Sequence, residues 1–281
     1  MSIKDVLLPL TSYPDPTATR AVETAVALAG HLGVHVSAMA FELDIQSPIG
    51  LYADPVGVRG ILTADRKKSA ENARALVHTF VTAAVEGGVA HNHVLGHCPP
   101  LEVPTRLAAA ARFCDISMVP LKEGDGGGQE IAERLVFESG RPVLVFPEEP
   151  ERALPAAIET VAVAWDSSRP SARAVADAMP LLRRAKEVRF FTVVDDKAIR
   201  DAGLGDTLAK HLARHGVEAT MEDVRAKGRP TGLAFADYVA EHKVDLLVMG
   251  AYGHSRMREF ILGGATDNML TRPPTFVLMS H

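Results

Sequence analysis

The chain writes one pattern twice. Short apolar runs alternate with longer amphipathic runs in the order β-α-β-α-β-α-β-α-β, and the same order then repeats. In the first half the spacing predicts strands near 3–10, 35–42, 89–95, 115–121 and 142–147, and helices near 17–32, 61–86, 101–113 and 129–139. In the second half it predicts strands near 160–165, 187–194, 218–223, 245–250 and 275–280, with helices near 170–184, 200–215, 230–242 and 256–271. Runs such as DISMVPL, TVAVAW and DLLVMG are almost continuously apolar instead of alternating. That pattern belongs to strands buried on both faces, as in a parallel sheet covered by helices on each side. The expected fold class is therefore α/β: two tandem doubly wound domains, each a five-stranded, mostly parallel sheet with helices on both faces. The expected boundaries are 1–148 and 156–281, joined by the proline- and glutamate-rich segment PEEPERALP at 147–155.

The two halves also align locally. Asp115-Ile-Ser-Met-Val mirrors Asp245-Leu-Leu-Val-Met at an offset of 130, and Arg141-Pro-Val-Leu-Val mirrors Pro274-Thr-Phe-Val-Leu at 133. The first strands are offset by about 155, so the first half carries extra residues, most of them in SPIGLYADPVGVRG. A repeat this long is a duplicated domain, not a solenoid. The second helix is bounded by Thr63, a candidate cap, and by Gly87-Gly88.

Composition narrows the class further. Of 281 residues 47% are hydrophobic and 23% charged, which is ordinary for a soluble globular protein and excludes disorder. No apolar run is long enough to span a membrane, and MSIKDVLLPL reads as a strand and lacks a signal-peptide pattern. Cys98 and Cys114 are too few for a disulfide framework, which points to reduced thiols in the cytoplasm. The net charge is −5 with no basic cluster, which argues against nucleic acid as a partner. Residues 1–150 hold 12 basic and 18 acidic side chains, residues 151–281 hold 18 and 17, so the second half is the better host for a phosphorylated ligand.

The strongest local signal is Gly250-Ala251-Tyr252-Gly253-His254-Ser255-Arg256, followed by Gly263-Gly264-Ala265-Thr266. As a template it reads G-x2-G-x9-G-G-x-T, directly after the apolar strand DLLVMG. Open α/β sheets bind ligands at the carboxyl ends of their strands. Glycines there let backbone N–H groups approach phosphate oxygens, and a following helix adds unpaired N–H groups. His254, Arg256 and Arg258 are further donors. Neither G-x4-G-K-[ST] nor G-x-G-x-x-G occurs, so a Walker-type triphosphatase and a standard dinucleotide site are disfavoured.

With these residues the chain resembles the universal stress protein family, whose nucleotide-binding members carry G-x2-G-x9-G-[ST], and within it the tandem type with two domains in one polypeptide. The resemblance implies adenine nucleotide binding, stress-linked regulation and last strands that pair across domains or subunits. Carried over by motif, Asp166 in the turn Ala164-Trp165-Asp166-Ser167 matches the adenine-side aspartate. Val193 matches the residue against the base, and Met249 and Gly250 the base and ribose edge. Gly253, Gly263, Gly264, Ala265 and Thr266 match the ribose and phosphate contacts. Gly264 stands where the family carries Ser or Thr, which removes one hydroxyl donor and implies weaker phosphate binding. The implied ligand is ATP, alone or with Mg, bound with slow turnover or none. Intramolecular domain pairing or a homodimer is the implied assembly.

In the first half the matching segment, Lys122-Glu123-Gly124-Asp125-Gly126-Gly127-Gly128-Gln129-Glu130, has the wrong spacing and places negative charge where phosphates would sit. Gly124 to Gly128 reads as a flexible loop. His91, His93, His97 and Cys98 offer ligand types that Zn accepts, but paired Cys-x2-Cys is missing and a polar strand face is the simpler reading. Asp195-Asp196 reads as a solvated loop. No residue set offers an activated nucleophile with a positioned base. Two rivals to nucleotide-dependent regulation stay open: an adenylyl-transferring enzyme, disfavoured by the turns TSYP and WDSSRP, and a ligand-free interaction protein.

Overall fold

The computed structural model describes residues 2–46, 58–150, 153–194, 204–252 and 264–281. The first half runs β1 (Asp5–Leu10), α1 (Thr19–Leu32), β2 (His35–Leu43), α2 (Val58–Glu86), β3 (His91–Cys98), a 3-10 turn (Pro100–Glu102), α3 (Val103–Ala111), β4 (Ile116–Leu121), α4 (Gly126–Glu138) and β5 (Val143–Pro147). The second runs β6 (Thr160–Ala164), α5 (Arg169–Leu182), β7 (Glu187–Val194), α6 (Leu204–Arg214), β8 (Thr220–Arg225), α7 (Thr231–Glu241), β9 (Leu246–Gly250), α8 (Ala265–Thr271) and β10 (Phe276–Ser280). The strand periodicity predicted from the sequence is met throughout. One boundary is corrected: α2 begins at Val58, so Thr63 lies inside the helix and does not cap it.

The ten strands among the described residues form one sheet, in the order β3-β2-β1-β4-β5-β10-β9-β6-β7-β8. Within each half the pairings are parallel. The halves meet at β5 and β10, which pair antiparallel through Val145–Val277, Leu144–Leu278 and Val143–Met279. This is the intramolecular pairing of last strands that the resemblance implied. Each half's last strand supplies the edge that the other lacks, so no sheet edge is left open at the centre.

The duplication extends to side-chain roles. Asp115 Oδ2 accepts the backbone N–H groups of Lys4 (2.7 Å) and Asp5 (3.2 Å) at the start of β1. Asp245 Oδ2 does the same for Glu159 (2.9 Å) and Thr160 (2.8 Å) at the start of β6. The offset of 130 seen in the sequence is therefore the structural equivalence.

Apolar residues from both halves share each face of the sheet. One face collects Val6, Leu8, Phe146, Val161, Val163, Leu246, Val248 and Phe276 against α1, α2 and α5. The other collects Leu7, Val119, Val145, Ala162, Ala164, Met249 and Val277 against α3, α4, α7 and α8. Alternation along a strand sends neighbours to opposite faces, so continuous apolar runs fill both layers. Among the described residues no helix is long and apolar enough to cross a membrane.

Candidate functional site

The carboxyl ends of β6, β7 and β9 lie side by side. Ala164 of β6 pairs with Met249 of β9 on one side and with Phe191 of β7 on the other. Ala164 and Met249 are buried on the α7–α8 face, and Val193, two residues beyond Phe191, is half-buried against that layer. These three apolar side chains thus converge on one face at one end of the sheet. Asp166 follows β6 in an exposed turn, and its Oδ1 accepts the N–H of Ser168 at 2.9 Å. Ser167 holds φ at +62°, and Ser168 caps α5 by accepting the Ser171 N–H at 3.2 Å. Ser168, not Asp166, caps this helix, and Asp166 stands at the exposed tip of the turn.

Trp165 takes the opposite face. It is half-buried against the α5 layer, its ring 6.5 Å from that of Phe190. Its backbone N–H donates to the Phe191 carbonyl at 2.9 Å. The indole therefore packs the core on the far side of the sheet from Ala164, Val193 and Met249.

Gly250 ends β9 where α5 begins. A Cβ there would stand 2.5 Å from the Ser171 backbone nitrogen and 2.6 Å from the Pro170 carbonyl carbon. Glycine is required at this position by the close approach of strand and helix. The chain continues through buried Ala251 to Tyr252, which holds φ at +55°. The Tyr252 N–H donates to Thr266 Oγ1 at 3.1 Å, and Thr266 is buried in the first turn of α8. This bond ties the start of the glycine signature to its end. Gly264 is the N-cap residue of α8 with an extended backbone, φ −62° and ψ 167°, and offers no capping side chain. Ala265 opens the helix beside it, half-buried against the α7–α8 layer. Gly253, His254, Arg256, Arg258 and Gly263 lie outside the described residues, as does Asp195-Asp196.

A family model described as the universal stress protein family matches residues 157–281. Those residues belong to the universal stress protein family. The match covers β6 to β10, and so every candidate site residue. The first half shares the fold. A universal stress protein from Archaeoglobus fulgidus matches at 17% identity over 98% of this chain and 95% of its own, with a TM-score of 0.69. A putative universal stress protein from Pseudomonas aeruginosa matches at 12% identity over 99% of this chain and 93% of its own, with a TM-score of 0.59. A universal stress protein in complex with cAMP matches at 26% identity over 44% of this chain and 98% of its own, with a TM-score of 0.35. No curated protein matches the sequence.

The first half departs from the universal stress half at the equivalent place. Gly126 to Gly128 are the first turn of α4, which corrects the expected flexible loop. Asp125 caps that turn, its carboxylate accepting the N–H groups of Gly127 (2.9 Å) and Gly128 (3.2 Å). The chain's own carboxylate therefore takes the donors that a phosphate would use. A second carboxylate, Glu148, is buried just past β5 and accepts the Ala18 N–H at the start of α1. Burial pushes its pKa up, the Ala18 N–H and Lys122 pull it down, and Glu149 and Asp125 push it up again.

A carboxyl whose pKa is raised in the fold contributes stability that is full below its unfolded pKa, about 4.3. That contribution is lost as pH rises through the folded value. Glu148→Gln keeps an oxygen for Ala18 and removes the buried charge. We expect it to raise the urea midpoint at neutral pH and to flatten the decline between acid and neutral pH. An unchanged or lowered neutral midpoint in the variant contradicts this.

The histidine cluster does not assemble. His91, His93 and His97 share one face of β3, opposite Val36, Ala38 and Glu42, while Cys98 pairs with Leu43 and turns to the other face. His91 Nδ1 meets the Val89 carbonyl at 2.8 Å and its ring meets Phe80 edge-on at 5.7 Å. No group of three or more candidate metal ligands gathers among the described residues. Cys98 and Cys114 are free and buried, and burial pushes both thiols up.

Sequence reasoning missed one set of residues around the signature. Tyr252 packs its ring at a tilt against Phe137 of α4, ring centres 4.6 Å apart, and Phe137 meets His281 at 4.9 Å. Phe137 comes from the first half. Nothing in its local sequence marks it, because the contact exists only once β5 and β10 join the halves.

Proposed function

We propose that this protein is a cytoplasmic stress-response regulator that binds an adenine nucleotide, ATP, in its C-terminal domain, residues 156–281, with slow turnover or none. The observation that carries the reading is the juxtaposition at one sheet end. Ala164, Val193 and Met249 form an apolar rim, Asp166 stands exposed beside it, and the Tyr252–Thr266 bond folds the two ends of the glycine signature together. An apolar rim suits a flat base, a carboxylate suits its donors, and glycine backbone suits phosphates. The family match over the same residues supports the same ligand. In this reading Gly253, His254, Gly263, Gly264 and Ala265 contact ribose and phosphates, and Thr266 holds the signature in register. Mg, where present, accompanies the phosphates. The N-terminal domain, residues 1–148, binds no nucleotide, because Asp125 caps its helix from within.

The pairing of β5 with β10 places the family's strand-to-strand contact inside one chain. A homodimer would use another surface.

The test is to denature the purified protein, separate any released nucleotide, and titrate ATP into the stripped protein by calorimetry. One nucleotide per chain is expected, lost on replacing Gly253 and Gly263 by valine. Two per chain would overturn the silent first half. None released and none bound would overturn the nucleotide reading and favour the interaction protein.

A further inference from the structure

The start of the glycine signature, Ala251-Tyr252, is held from three directions. Ala251 N–H donates to the Ser280 carbonyl at 2.8 Å, and His281 Nδ1 meets the Ala251 carbonyl at 3.0 Å. Tyr252 N–H reaches Thr266 of α8 at 3.1 Å. The third hold comes from the other half: Phe137, half-buried near the end of α4, tilts its ring 36° against Tyr252 at 4.6 Å and stands edge-on to His281 at 4.9 Å.

Tyr252 needs this support. A non-glycine residue at φ +55° persists only where its surroundings over-determine it. Tyrosine brings a large ring to this position, and the ring's partner is Phe137. At the offset of 130 the first-half counterpart of Tyr252 is Lys122, which carries no ring and pairs with Asp15 at 4.0 Å. The aromatic hold is therefore specific to the half that carries the signature.

We infer that Phe137 is a positioning residue for the nucleotide site, so that the first half, which lacks the signature, fixes Tyr252 at the start of the second half's signature through its ring contacts with Tyr252 and His281. This rests on the nucleotide reading and adds the element that regulates it. The two halves then form one functional unit, and anything that shifts α4 relative to β10 changes nucleotide affinity. Phe137 is too far along the chain, and in the wrong half, to be part of the motif itself.

The test compares ATP affinity, by calorimetry on the full chain, for the natural protein, Phe137→Ala and Phe137→Tyr. Phe137→Ala is expected to weaken binding roughly tenfold. Phe137→Tyr keeps the ring face on Tyr252 and is expected to bind within about twofold of the natural protein. Should the alanine variant fail to fold, Phe137→Leu, which keeps apolar volume but loses the ring contact, is read in its place with the same expected weakening. Arg272→Ala is the control. It removes an exposed ion pair to Glu123 (3.6 Å) that also crosses between the halves, and is expected to leave affinity unchanged. Natural protein that binds, with an alanine or leucine variant that binds equally well, overturns the inference alone. Equal weakening by Arg272→Ala also overturns it, because any loosening of the halves would then suffice. Natural protein that binds no ATP overturns the nucleotide reading, and the inference with it.

Discussion

Replacing Phe276 by alanine is expected to cost about 3–5 kcal/mol of stability and to weaken both halves together. Phe276 is fully buried at the start of β10 and pairs with Leu246 of β9. Its ring lies 5.5 Å from Phe146, the residue one step along the antiparallel register on β5. The two phenylalanines therefore face each other across the junction, in the core layer that α1 and α5 share. Truncation leaves a cavity between rigid strands in the middle of a ten-stranded sheet, where little can collapse to fill it. A loss of this size is a large part of a typical total of about 5–15 kcal/mol.

The same geometry dictates how the loss is seen. Trp165, the only tryptophan, reports the second half, while far-UV circular dichroism reports both. One shared sheet and two shared core layers predict a single urea transition, coincident by both probes, that moves to lower urea in Phe276→Ala. Separate transitions for the two probes, or a loss below about 1 kcal/mol, would show that the halves are independently stable and that the junction contributes little.

How far the sequence could be read follows from where each signal is stored. Strand identity is stored locally: TVAVAW and DLLVMG are apolar because both of their faces are covered, and the sheet places them so. The Asp115 and Asp245 equivalence is stored in the repeat, and the paired backbone contacts explain why an aspartate opens both segments. Helix starts are less legible, because they depend on which side chain wins the cap. Three glycines in a row looked like a loop, yet Asp125 converts them into a helical turn by taking two of its N–H groups. The β5–β10 junction is not legible from periodicity at all. Both strands are simply buried, and only the family resemblance pointed to their pairing. Contacts that depend on the junction, such as Phe137 on Tyr252, were invisible for the same reason.

The site was half legible. The motif follows β9, and the structure gathers Ala164, Val193 and Met249 at that end of the sheet. Trp165 sits in the turn after β6, where a residue can face either layer, and its ring falls on the α5 side with Phe190. Gly250 carried a signal that mixes two causes, since the packing of α5 alone demands a glycine.

Gly264 is where affinity can be gained, and Gly264→Ser is expected to tighten ATP binding by about 10- to 150-fold. The estimate comes from one hydrogen bond to a charged group, roughly 1.5–3 kcal/mol. The backbone accepts the change. Gly264 holds φ −62° and ψ 167°, ordinary extended values for any residue, at the N-cap of α8. Serine is among the preferred residues at such a position and would stabilise the helix by a few tenths of a kcal/mol over glycine even without ligand. The two effects separate by measurement. Thermal unfolding without nucleotide reads the cap, and calorimetric titration with ATP and with adenosine reads the phosphate contact. Tightening for ATP with little change for adenosine is the result that places phosphate at Gly264. Equal tightening for both would mean that serine acts by ordering α8. No tightening for either would move the phosphates away from Gly264 and remove the reason for counting it among the ligand-binding residues.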